Sequence, residues 1–396
     1  MMVERRRYMP YYRTVGETPT KRHTQFRKPD GTLYAEELMG EEGFSFDSSL
    51  LYHIHPPTAL KAIEGVEAEM PTTTPNHPLK PRHFKTHQLK AGGNLVRTRA
   101  LLLANEDCSI SYYVGSDSSG LYKNAIGDEM VFIEAGTGTL ETVFGPIRFS
   151  PGDCLIIPAS VIHRYELDED SDPVRALILE TRGHIGPPRR YLSRNGQFLE
   201  HSPYCERDQH APTAPIVREG TDVEVIVKHK GGLTRFIYEN HPFDVVGWDG
   251  CLYPYKFSVH DFEPITGRIH QPPPVHQMFE APNLVVCAFV PRLFDYHPDA
   301  IPAPYNHANV DSDEVLFYVD GDFMSRKGAG IEKGSISLHP GGHTHGPQPG
   351  SVEASIGKKG TEELAIMIDT FRPLDLGPGA TDCEEDTYAW TWLEGR

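Results

Sequence analysis

Three residues in the C-terminal half of the sequence have the types and the spacing of a metal site: His307, Glu314 and His345. Two neutral imidazoles and one carboxylate on one face leave open positions on an octahedral metal ion. That ligand set suits a non-haem Fe²⁺ ion that works with O₂, although general affinity trends favour other divalent metals. The spacing therefore predicts a metal centre, and the ligand types indicate iron.

The metal-site residues belong to a pattern that occurs twice. In both copies a glycine follows a glutamate after 7 residues, and a later glycine, proline and histidine are separated by 6 and 5 residues. Such repetition indicates a duplicated structural unit. The copies run Tyr122, Glu129, Gly136, Gly152, Pro158, His163 and His307, Glu314, Gly321, Gly334, Pro340, His345. In the first copy Tyr122 takes the position that His307 has in the second, so the first copy lacks one ligand. We therefore predict one metal-binding barrel and one structural barrel.

Two neighbours of these residues leave alternatives open. Asp313 competes with Glu314 as the carboxylate ligand, but successive side chains of a strand point to opposite faces, so only one can reach the metal. The repeat favours Glu314, since Glu129 precedes its glycine by the same step. His339 lies six residues before His345, an even number. It either shares the inward face and contacts a substrate or has a packing role.

The elements that would position this site are short strands. From about residue 95 onward, apolar runs recur at intervals of about 8–12 residues, which is typical of an all-β sandwich or barrel. The 36 glycines and 34 prolines suit many tight turns. Residues 1–85 are predicted to form an irregular arm that wraps the core or a neighbouring subunit, and 242–256 an ordered loop. Trp390 and Trp392 in the acidic tail need a hydrophobic cover, for which a subunit contact is one candidate.

Composition excludes several classes of function. At 396 residues the chain is long enough for two or three domains. The net charge of −17 argues against nucleic acid or an anionic membrane as a partner. No segment approaches eighteen consecutive apolar residues, and the first sixteen residues lack the apolar core of a secretory signal. The six cysteines contain no CxxC pair, so we expect reduced thiols in a cytoplasmic protein.

The second repeat resembles the two motifs of the cupin superfamily. It reads HxNx4Ex6G and then Gx5PxGxxH, with Asn309 in place of the usual second histidine. Three further segments look like the homogentisate 1,2-dioxygenase family: LYAEELMG (33–40), PFDVVGWDG with PYK (242–256) and SLHPGGHTHGP (337–347). Similar segments extend over most of the chain.

The resemblance implies an all-β bicupin, built of two jelly-roll barrels. A degenerate barrel with its N-terminal arm is expected over residues 1–225, and a metal-binding barrel with the tail over 226–396. The resemblance places Fe²⁺ in the second barrel, with His307, Glu314 and His345 as its ligands. It also implies a homo-oligomer, a trimer or a hexamer.

The resemblance assigns roles to further residues around the metal. A histidine near neutral pKa can accept a phenol proton, and spacing alone does not choose between His270 and His276. The resemblance assigns this catalytic base to His270. Residues that contact the substrate are expected at His339, Tyr305 and His345, and the family also has a histidine between its two motifs, at the position of His339, that contacts a metal ligand.

The implied reaction is the extradiol-type cleavage of homogentisate by O₂ to maleylacetoacetate, a step in the catabolism of tyrosine and phenylalanine. The sequence departs from the family at two positions. In the eukaryotic enzymes the first histidine and the glutamate are one residue closer, so Asp313 would lie at their spacing. Phe323 stands where the family has a tyrosine that binds the substrate, which leaves the aromatic substrate open.

An anionic substrate also needs a cation, for which Arg292, Lys256 and Arg326 are candidates. Two alternative functions remain. A gentisate- or salicylate-type dioxygenase is also a bicupin, but it relies on an HxH pair in the N-terminal barrel, where this chain has Tyr122 and Asn124. A non-catalytic bicupin would only bind a ligand or support an oligomer, and three intact ligands in one barrel argue against it.

Overall fold

The computed structural model describes residues 12–67 and 71–393. Within these ranges nearly all regular structure is β-strand, which confirms the predicted all-β fold. The strands are β1 (Arg13–Gly16), β2 (Ala35–Gly40), β3 (Ser48–His53), β4 (Leu60–Val66), β5 (Arg82–Lys85), β6 (Ala100–Ala104), β7 (Cys108–Gly115), β8 (Leu121–Asn124), β9 (Glu129–Ala135), β10 (Gly138–Thr142), β11 (Gly145–Phe149), β12 (Asp153–Ile157), β13 (His163–Leu167), β14 (Val174–Thr181), β15 (Thr221–His229), β16 (Gly232–Asn240), β17 (Val245–Gly250), β18 (Tyr255–Ser258), β19 (Gln277–Ala281), β20 (Leu284–Phe289), β21 (Arg292–Leu293), β22 (Asp313–Asp320), β23 (Ser335–His339), β24 (Gly360–Thr361), β25 (Leu364–Thr370) and β26 (Asp375–Leu376).

Helical structure in the described residues is limited to short segments. Two are α-helical, α1 (Ser351–Ser355) and α2 (Pro378–Thr381). The others are single 3₁₀ turns at Glu42–Phe44, Thr86–Gln88, Arg189–Tyr191, Glu206–Asp208, Val259–Asp261, Pro273–His276, Met324–Arg326 and Tyr388–Trp390. No helix in the described part of the chain is long and apolar enough to span a membrane.

The first barrel consists of two seven-stranded sheets. Their strand orders are β11-β10-β13-β8-β15-β16-β4 and β18-β12-β9-β14-β7-β6-β26. Strand alternation places the apolar side chains between the sheets. In β11, for example, Ile147 and Phe149 are buried while Pro146 and Arg148 are exposed. The central strands β9 and β14 carry the fully buried core residues, such as Val131 and Leu177.

The second barrel has one large sheet, in the order β19-β20-β25-β22-β23-β5. Beside that sheet, the C-terminal half contains the short pair β21-β24 and an antiparallel bridge between His307 and His345. In the first barrel the same kind of bridge joins Tyr122 to His163. Strand pairing thus reproduces the duplication that was predicted from spacing.

The glycines that follow β9 and β22 show why the motif keeps them. Gly136 has φ +83° and Gly321 has φ +91°, a region that favours glycine. A Cβ atom at Gly321 would lie 2.0 Å from the carbonyl oxygen of Glu362, and one at Gly136 would lie 2.9 Å from that of Asp172. Both hairpins therefore turn tightly against the backbone of a neighbouring segment.

Two predictions about local structure are wrong. Most of the described part of residues 1–85 is not irregular: β1, β2 and β3 form a four-stranded sheet with β17 in the order β1-β17-β3-β2, and β5 joins the large sheet of the second barrel. The predicted loop at 242–256 contains β17 and the start of β18. These strands were missed because their side chains do not alternate, as in the segment VVGWDG of β17, and backbone pairing with distant strands stabilises them.

The sheets do not divide at the predicted boundary between residues 225 and 226. That position lies inside β15, which pairs with both β8 and β16 of the first barrel. The first barrel continues to β18, which pairs with β12. Two strands also cross over, because β5 lies in the sheet of the second barrel and β26 lies in a sheet of the first.

Candidate metal centre

The three predicted ligands come together at one end of the second barrel. Glu314 lies on β22, His307 precedes that strand, and His345 follows β23. The His307 Nε2 atom lies 3.4 Å from Glu314 Oε2, and His345 Nε2 lies 3.1 Å from Glu314 Oε1. One potential ligand atom from each residue lies within 4.8 Å of the others. The geometry therefore brings two imidazole nitrogens and a carboxylate to a common point.

Backbone carbonyls orient both imidazoles. His307 Nδ1 donates to the carbonyl oxygen of Tyr305 at 3.1 Å, and His345 Nδ1 donates to that of His343 at 3.0 Å. A carbonyl can only accept, so each neutral ring carries its proton on Nδ1 and turns the Nε2 lone pair toward Glu314. Lone pairs that face a carboxylate need a cation between them, either a proton or a metal ion. The donor set fits a divalent metal.

Glu314 is held as a carboxylate in the interior. Burial opposes its charge, but the imidazole groups of His307, His339 and His345, which contact its two oxygens, keep the pKa of Glu314 well below its usual range. The bond with Glu314 also raises the pKa of His307. The cluster is therefore an anionic acceptor surrounded by imidazoles, as a metal site requires.

His339 contacts Glu314 rather than an open space. Its Nδ1 lies 2.8 Å from Glu314 Oε1, its Nε2 lies 2.9 Å from the hydroxyl of Tyr388, and its ring stacks on His345 at 4.0 Å. Burial lowers the pKa of His339 to about 3, so the neutral ring donates from Nδ1 and accepts from Tyr388. His339 is fully buried, and these contacts fit a positioning role rather than the predicted contact with a substrate.

Asp313 points away from the cluster. Its Oδ1 accepts from the backbone N–H of Gly341 at 2.7 Å, and its Oδ2 accepts from that of Leu374 at 2.8 Å. In the first barrel both oxygens of Asp128 accept from backbone N–H groups in the same way. The residue before each motif glutamate is thus a backbone clamp, and Glu314 is the carboxylate that faces inward.

Asp369 is a buried acid near the site that was not among the predicted site residues. It lies opposite Glu314 in the β22–β25 pair, and its Oδ1 accepts from Asn309 Nδ2 at 3.1 Å. Burial and the charge of Glu314 raise the pKa of Asp369 to about 8. The sequence contained one indication of this acid, which was Asn309 in place of the usual cupin histidine. An amide at that position can donate a hydrogen bond to a neighbouring carboxyl group, as Asn309 does to Asp369.

Tyr305 and His270 lie at the exposed edge of the cluster. The Tyr305 ring lies 6.3 Å from the ring of His307, and the His270 ring lies 5.4 Å from that of Tyr305. His270 Nδ1 faces Asp295 Oδ2 at 3.4 Å, and its side chain is 61% exposed. The structure therefore places Tyr305 beside a predicted ligand, whereas His270 is separated from the ligands by the tyrosine ring.

The three candidate cations have different surroundings. Lys256 pairs with Asp153 in the first barrel at 2.9 Å. Arg326 is buried and donates to the Tyr318 hydroxyl and to the carbonyl oxygen of Gly346. Arg292 lies beside His276, whose pKa is lowered by burial and by the charges of Arg292 and His270. Of the three, only Arg292 shares a neighbourhood with the predicted base.

The C-terminal tail covers the inner side of the cluster, which the sequence did not reveal. Tyr388 is buried against His339, and Trp392 Nε1 donates to the carbonyl oxygen of Gly346 at 3.0 Å. The guanidinium of Arg326 lies 5.9 Å from the centroid of the Trp392 ring. Trp392 thus finds its hydrophobic cover within the chain, while Trp390 is 56% exposed and its subunit contact stays a prediction.

Phe323 lies in a small apolar cluster beside the site. Its ring meets the ring of Tyr318 edge-on at 5.0 Å and packs with Leu316 and Ala365. A tyrosine at this position would add a hydroxyl that phenylalanine lacks, so the side chain provides shape but no hydrogen bond.

A second group with potential ligand atoms within 4.8 Å occurs in the first half of the chain and consists of Glu41, Asp128 and His184. Here both oxygens of Asp128 already accept backbone N–H groups, and His184 Nδ1 lies 3.1 Å from Glu41 Oε1. The contacts are those of a histidine–carboxylate ion pair.

Comparison with known proteins identifies relatives of the whole chain. Residues 13–259 match the family model described as homogentisate 1,2-dioxygenase N-terminal. A protein of Saccharolobus solfataricus named "Putative dioxygenase" is 40% identical over 97% of this chain and 99% of its own length. The homogentisate 1,2-dioxygenase of Rhodopseudomonas palustris is 28% identical over 96% of this chain and 91% of its own length. Among solved structures, a cupin 2 conserved barrel domain protein from Leptotrichia buccalis is 11% identical, with a TM-score of 0.32 over 74% of this chain and 97% of that protein.

Proposed function

The chain belongs to the homogentisate 1,2-dioxygenase-like family of cupin proteins, and from this membership we propose that it is an Fe²⁺-dependent enzyme that cleaves the ring of homogentisate with O₂. The product would be maleylacetoacetate, as in the catabolism of tyrosine and phenylalanine. The observation that carries the proposal is the convergence of His307, Glu314 and His345, with both Nε2 lone pairs turned toward the carboxylate.

The three ligands would hold the iron on one side and leave its other side open. Bound Fe²⁺ supplies a Lewis acid and an electron path between an aromatic ring and O₂. Glu314 offsets part of the metal charge, and His339 fixes the carboxylate through the bond to Oε1. His307 forms the accessible edge, since about a third of its side chain is exposed, whereas His345 is buried.

The open edge would receive the substrate. Tyr305 stands between His307 and His270, so a ring bound at the metal would lie against its aromatic face. His270 would accept the phenol proton and become positively charged. The carboxylate of Asp295, which faces its Nδ1 atom, would stabilise that charge. This role requires His270 to move closer to the ligands when the substrate binds.

Arg292 is our proposed partner for the substrate carboxylate. It is the candidate cation that lies near His270 and His276. Its Nη1 donates to the carbonyl oxygen of Val290 at 2.9 Å, but its carboxylate partner is distant, because Arg292 Nη2 and Glu363 Oε2 are 3.7 Å apart. A carboxylate that entered this region could replace that weak contact with a closer pair.

A gentisate- or salicylate-type enzyme is the nearest alternative. Such an enzyme would use a metal in the first barrel, where Arg99 and Tyr122 lie against Glu129. A non-catalytic bicupin would need no metal in either barrel. An oligomer, a trimer or a hexamer, stays a prediction, as does a cytoplasmic location.

The proposal can be tested by loading the protein anaerobically with Fe²⁺ and adding homogentisate or gentisate. We expect O₂ uptake and the ultraviolet absorbance of a ring-opened product with homogentisate. His307→Ala and Glu314→Ala should abolish both signals, while His343→Ala, which keeps the backbone carbonyl that orients His345, should retain them. Turnover of gentisate alone would favour the alternative enzyme, and bound iron without turnover of either acid would contradict the proposed substrate class.

A further inference from the structure

The first barrel contains side chains arranged like those of the candidate metal centre, with the guanidinium of Arg99 as the cation. Glu129 and His163 occupy the places of Glu314 and His345, and Tyr122 lies opposite His163 just as His307 lies opposite His345. His163 Nδ1 donates to the carbonyl oxygen of Val161 at 2.9 Å. This is the same two-residue bond that orients both imidazoles in the second barrel. His163 therefore presents Nε2 inward in the manner of a ligand.

The inward Nε2 atom of His163 is an unusual group. Among the residues that the structure describes, it has no hydrogen-bond partner, although His163 is fully buried. The hydroxyl of Tyr165 is also buried without a partner, and the two rings are 5.7 Å apart. Buried polar atoms are nearly always paired, so an orphaned ligand atom needs an explanation. A site built for an ion that is no longer bound supplies one.

Arg99 supplies the positive charge in this barrel. Its guanidinium donates to Glu129 Oε2 at 2.8 Å and to Glu180 Oε1 at 2.6 Å, and it lies 5.7 Å from the centroid of the Tyr122 ring. Burial opposes ionisation of Glu129, but the charge of Arg99 keeps its pKa below the ordinary value. Lys228 pairs with the other oxygen of Glu180. Two carboxylates are thus balanced by two cations without a metal.

The neighbours of this cluster repeat those of the second barrel. Asn124 Nδ2 donates to Glu129 at 3.0 Å and approaches Glu180 at 3.4 Å, as Asn309 donates to Asp369. Glu180 lies opposite Glu129 in the β9–β14 pair, as Asp369 lies opposite Glu314. Arg99 therefore lies in a cluster whose glutamate, asparagine and second buried acid match those of the second barrel.

We infer that the N-terminal barrel contains a converted metal site, in which the side chain of Arg99 has replaced a divalent transition-metal ion as the partner of Glu129. The cation and the metal exclude each other, because Arg99 holds Glu129 Oε2 and a metal ion at this carboxylate would be repelled by the guanidinium charge. The site would take an ion such as Co²⁺, Zn²⁺ or Fe²⁺ again if Arg99 were removed and Tyr122 were a histidine. The native chain would then bind metal in the second barrel alone.

The residue that lies opposite the glutamate differs between the two barrels, and this difference affects the metal affinity that we expect of the restored site. Ile157 lies opposite Glu129 in the β9–β12 pair, at the place where His339 lies opposite Glu314. Isoleucine cannot hold the carboxylate by a hydrogen bond. Since such supporting bonds are typically worth about 10–100-fold in metal affinity, we expect the restored site to bind metal about 10–100-fold more weakly than the second barrel.

The experiment compares cobalt equivalents per chain in the native protein, Tyr122→His and Arg99→Met/Tyr122→His after desalting. We expect the double variant to bind one equivalent more than the native protein, and Tyr122→His alone to gain none because Arg99 still holds Glu129. A folded double variant with no gain, or a gain in the single variant, would overturn the inference. The readout is a difference, so it does not depend on whether the second barrel binds iron or cleaves homogentisate.

The double variant leaves Glu129 without its arginine, and such a loss can unfold a protein. Refolding is then measured with Co²⁺ and with Mg²⁺, which prefers oxygen ligands. Rescue by Co²⁺ alone supports the inference, and no rescue by Co²⁺ contradicts it. In the native background, His163→Gln should leave the cobalt content unchanged; loss of one equivalent would mean that the first barrel binds metal already.

Discussion

Glu314 is the residue on which the proposed centre depends. Three imidazoles approach its two oxygens, at 3.4 Å from His307, 3.1 Å from His345 and 2.8 Å from His339. Two of these rings are oriented by backbone carbonyls, so their Nε2 atoms are acceptors when the rings are neutral. The third ring is oriented by Tyr388 and donates to the carboxylate. The first two rings can therefore serve as ligands, and the third holds the glutamate in place.

Removal of the Tyr388 hydroxyl tests this division at the residue scale. In Tyr388→Phe, His339 loses the partner of its Nε2 atom and Glu314 loses a fixed orientation, so we expect metal affinity to fall about 10–100-fold. Metal competition with a chelating dye would measure the change. Tyr204→Phe is the control, because Tyr204 is also buried and its hydroxyl donates to the carbonyl oxygen of Met278, in contact with none of the three ligands. Equal metal affinity in the two variants would refute the positioning role.

At the scale of the strand, alternation along β22 separates a structural acid from a ligand acid. Asp313 accepts two backbone N–H groups, so Asp313→Ala leaves two buried donors unpaired and should lower the free energy of unfolding by about 3 kcal/mol. It should still bind one metal ion per chain. Glu314→Gln should bind no metal, because the amide offers no anionic oxygen between the two imidazoles. Urea unfolding would measure the stability of both variants, and elemental analysis would measure their metal content. Loss of metal from Asp313→Ala, or bound metal in Glu314→Gln, would contradict this assignment.

The four-stranded sheet depends on a charged histidine. His53 on β3 bonds to Asp244 at 2.6 Å and to Glu37 on β2 at 3.0 Å. Burial opposes its charge, but the two carboxylates raise the pKa of His53 from 6.5 to about 9. The bonds therefore stabilise the native state fully below pH 6.5, and this contribution, on the order of 3 kcal/mol, is lost as pH rises through about 9.

The pH prediction is measured as a difference between the native protein and His53→Gln. The free energy of unfolding of the native protein should fall toward that of the variant between pH 6.5 and pH 10. Other titrating groups act on both proteins and cancel in the difference. A difference that stays constant over this range would show that His53 is not charged in the native state.

The strands and ligands that could be predicted from sequence are those that repeat or alternate. Glu314 could be selected over Asp313 because Glu129 provides a second copy of the spacing. Asp369 and Tyr388 could not be found, since their positions depend on the register of β25 and on the path of the tail. Arg99 could not be found either, because it lies outside the repeated motif and reaches Glu129 only in the folded barrel.

At the scale of the whole molecule, the two barrels exchange strands. β5 from the first part of the chain completes the sheet that carries Glu314, and β26 from the last part pairs with β6 in the first barrel. Neither barrel is a continuous segment, so neither should be stable alone. We expect the metal-free protein to unfold in a single transition.

Two probes can check this cooperativity. Trp248 is buried on β17 in the four-stranded sheet, and Trp392 contacts Gly346 near the metal centre. The chain has 3 tryptophans, so Trp248→Phe keeps the two in the tail and Trp390→Phe/Trp392→Phe keeps only Trp248. Urea titrations of both variants, each followed by tryptophan fluorescence and by circular dichroism, should give coincident curves within each variant. Two separate transitions would mean that one barrel stays folded after the other has unfolded. That result would contradict the expectation that neither barrel is stable alone.

The proposed metal centre can be tested by the iron content of purified protein loaded anaerobically with Fe²⁺, in the native chain, His345→Ala and His343→Ala. The two histidines are neighbours, but only His345 turns its Nε2 atom toward Glu314. We expect about one iron per chain in the native protein and in His343→Ala, because both keep the three ligands, and almost none in His345→Ala. Iron that persists in His345→Ala, or that is lost from His343→Ala, would show that the second barrel does not bind metal in the way described.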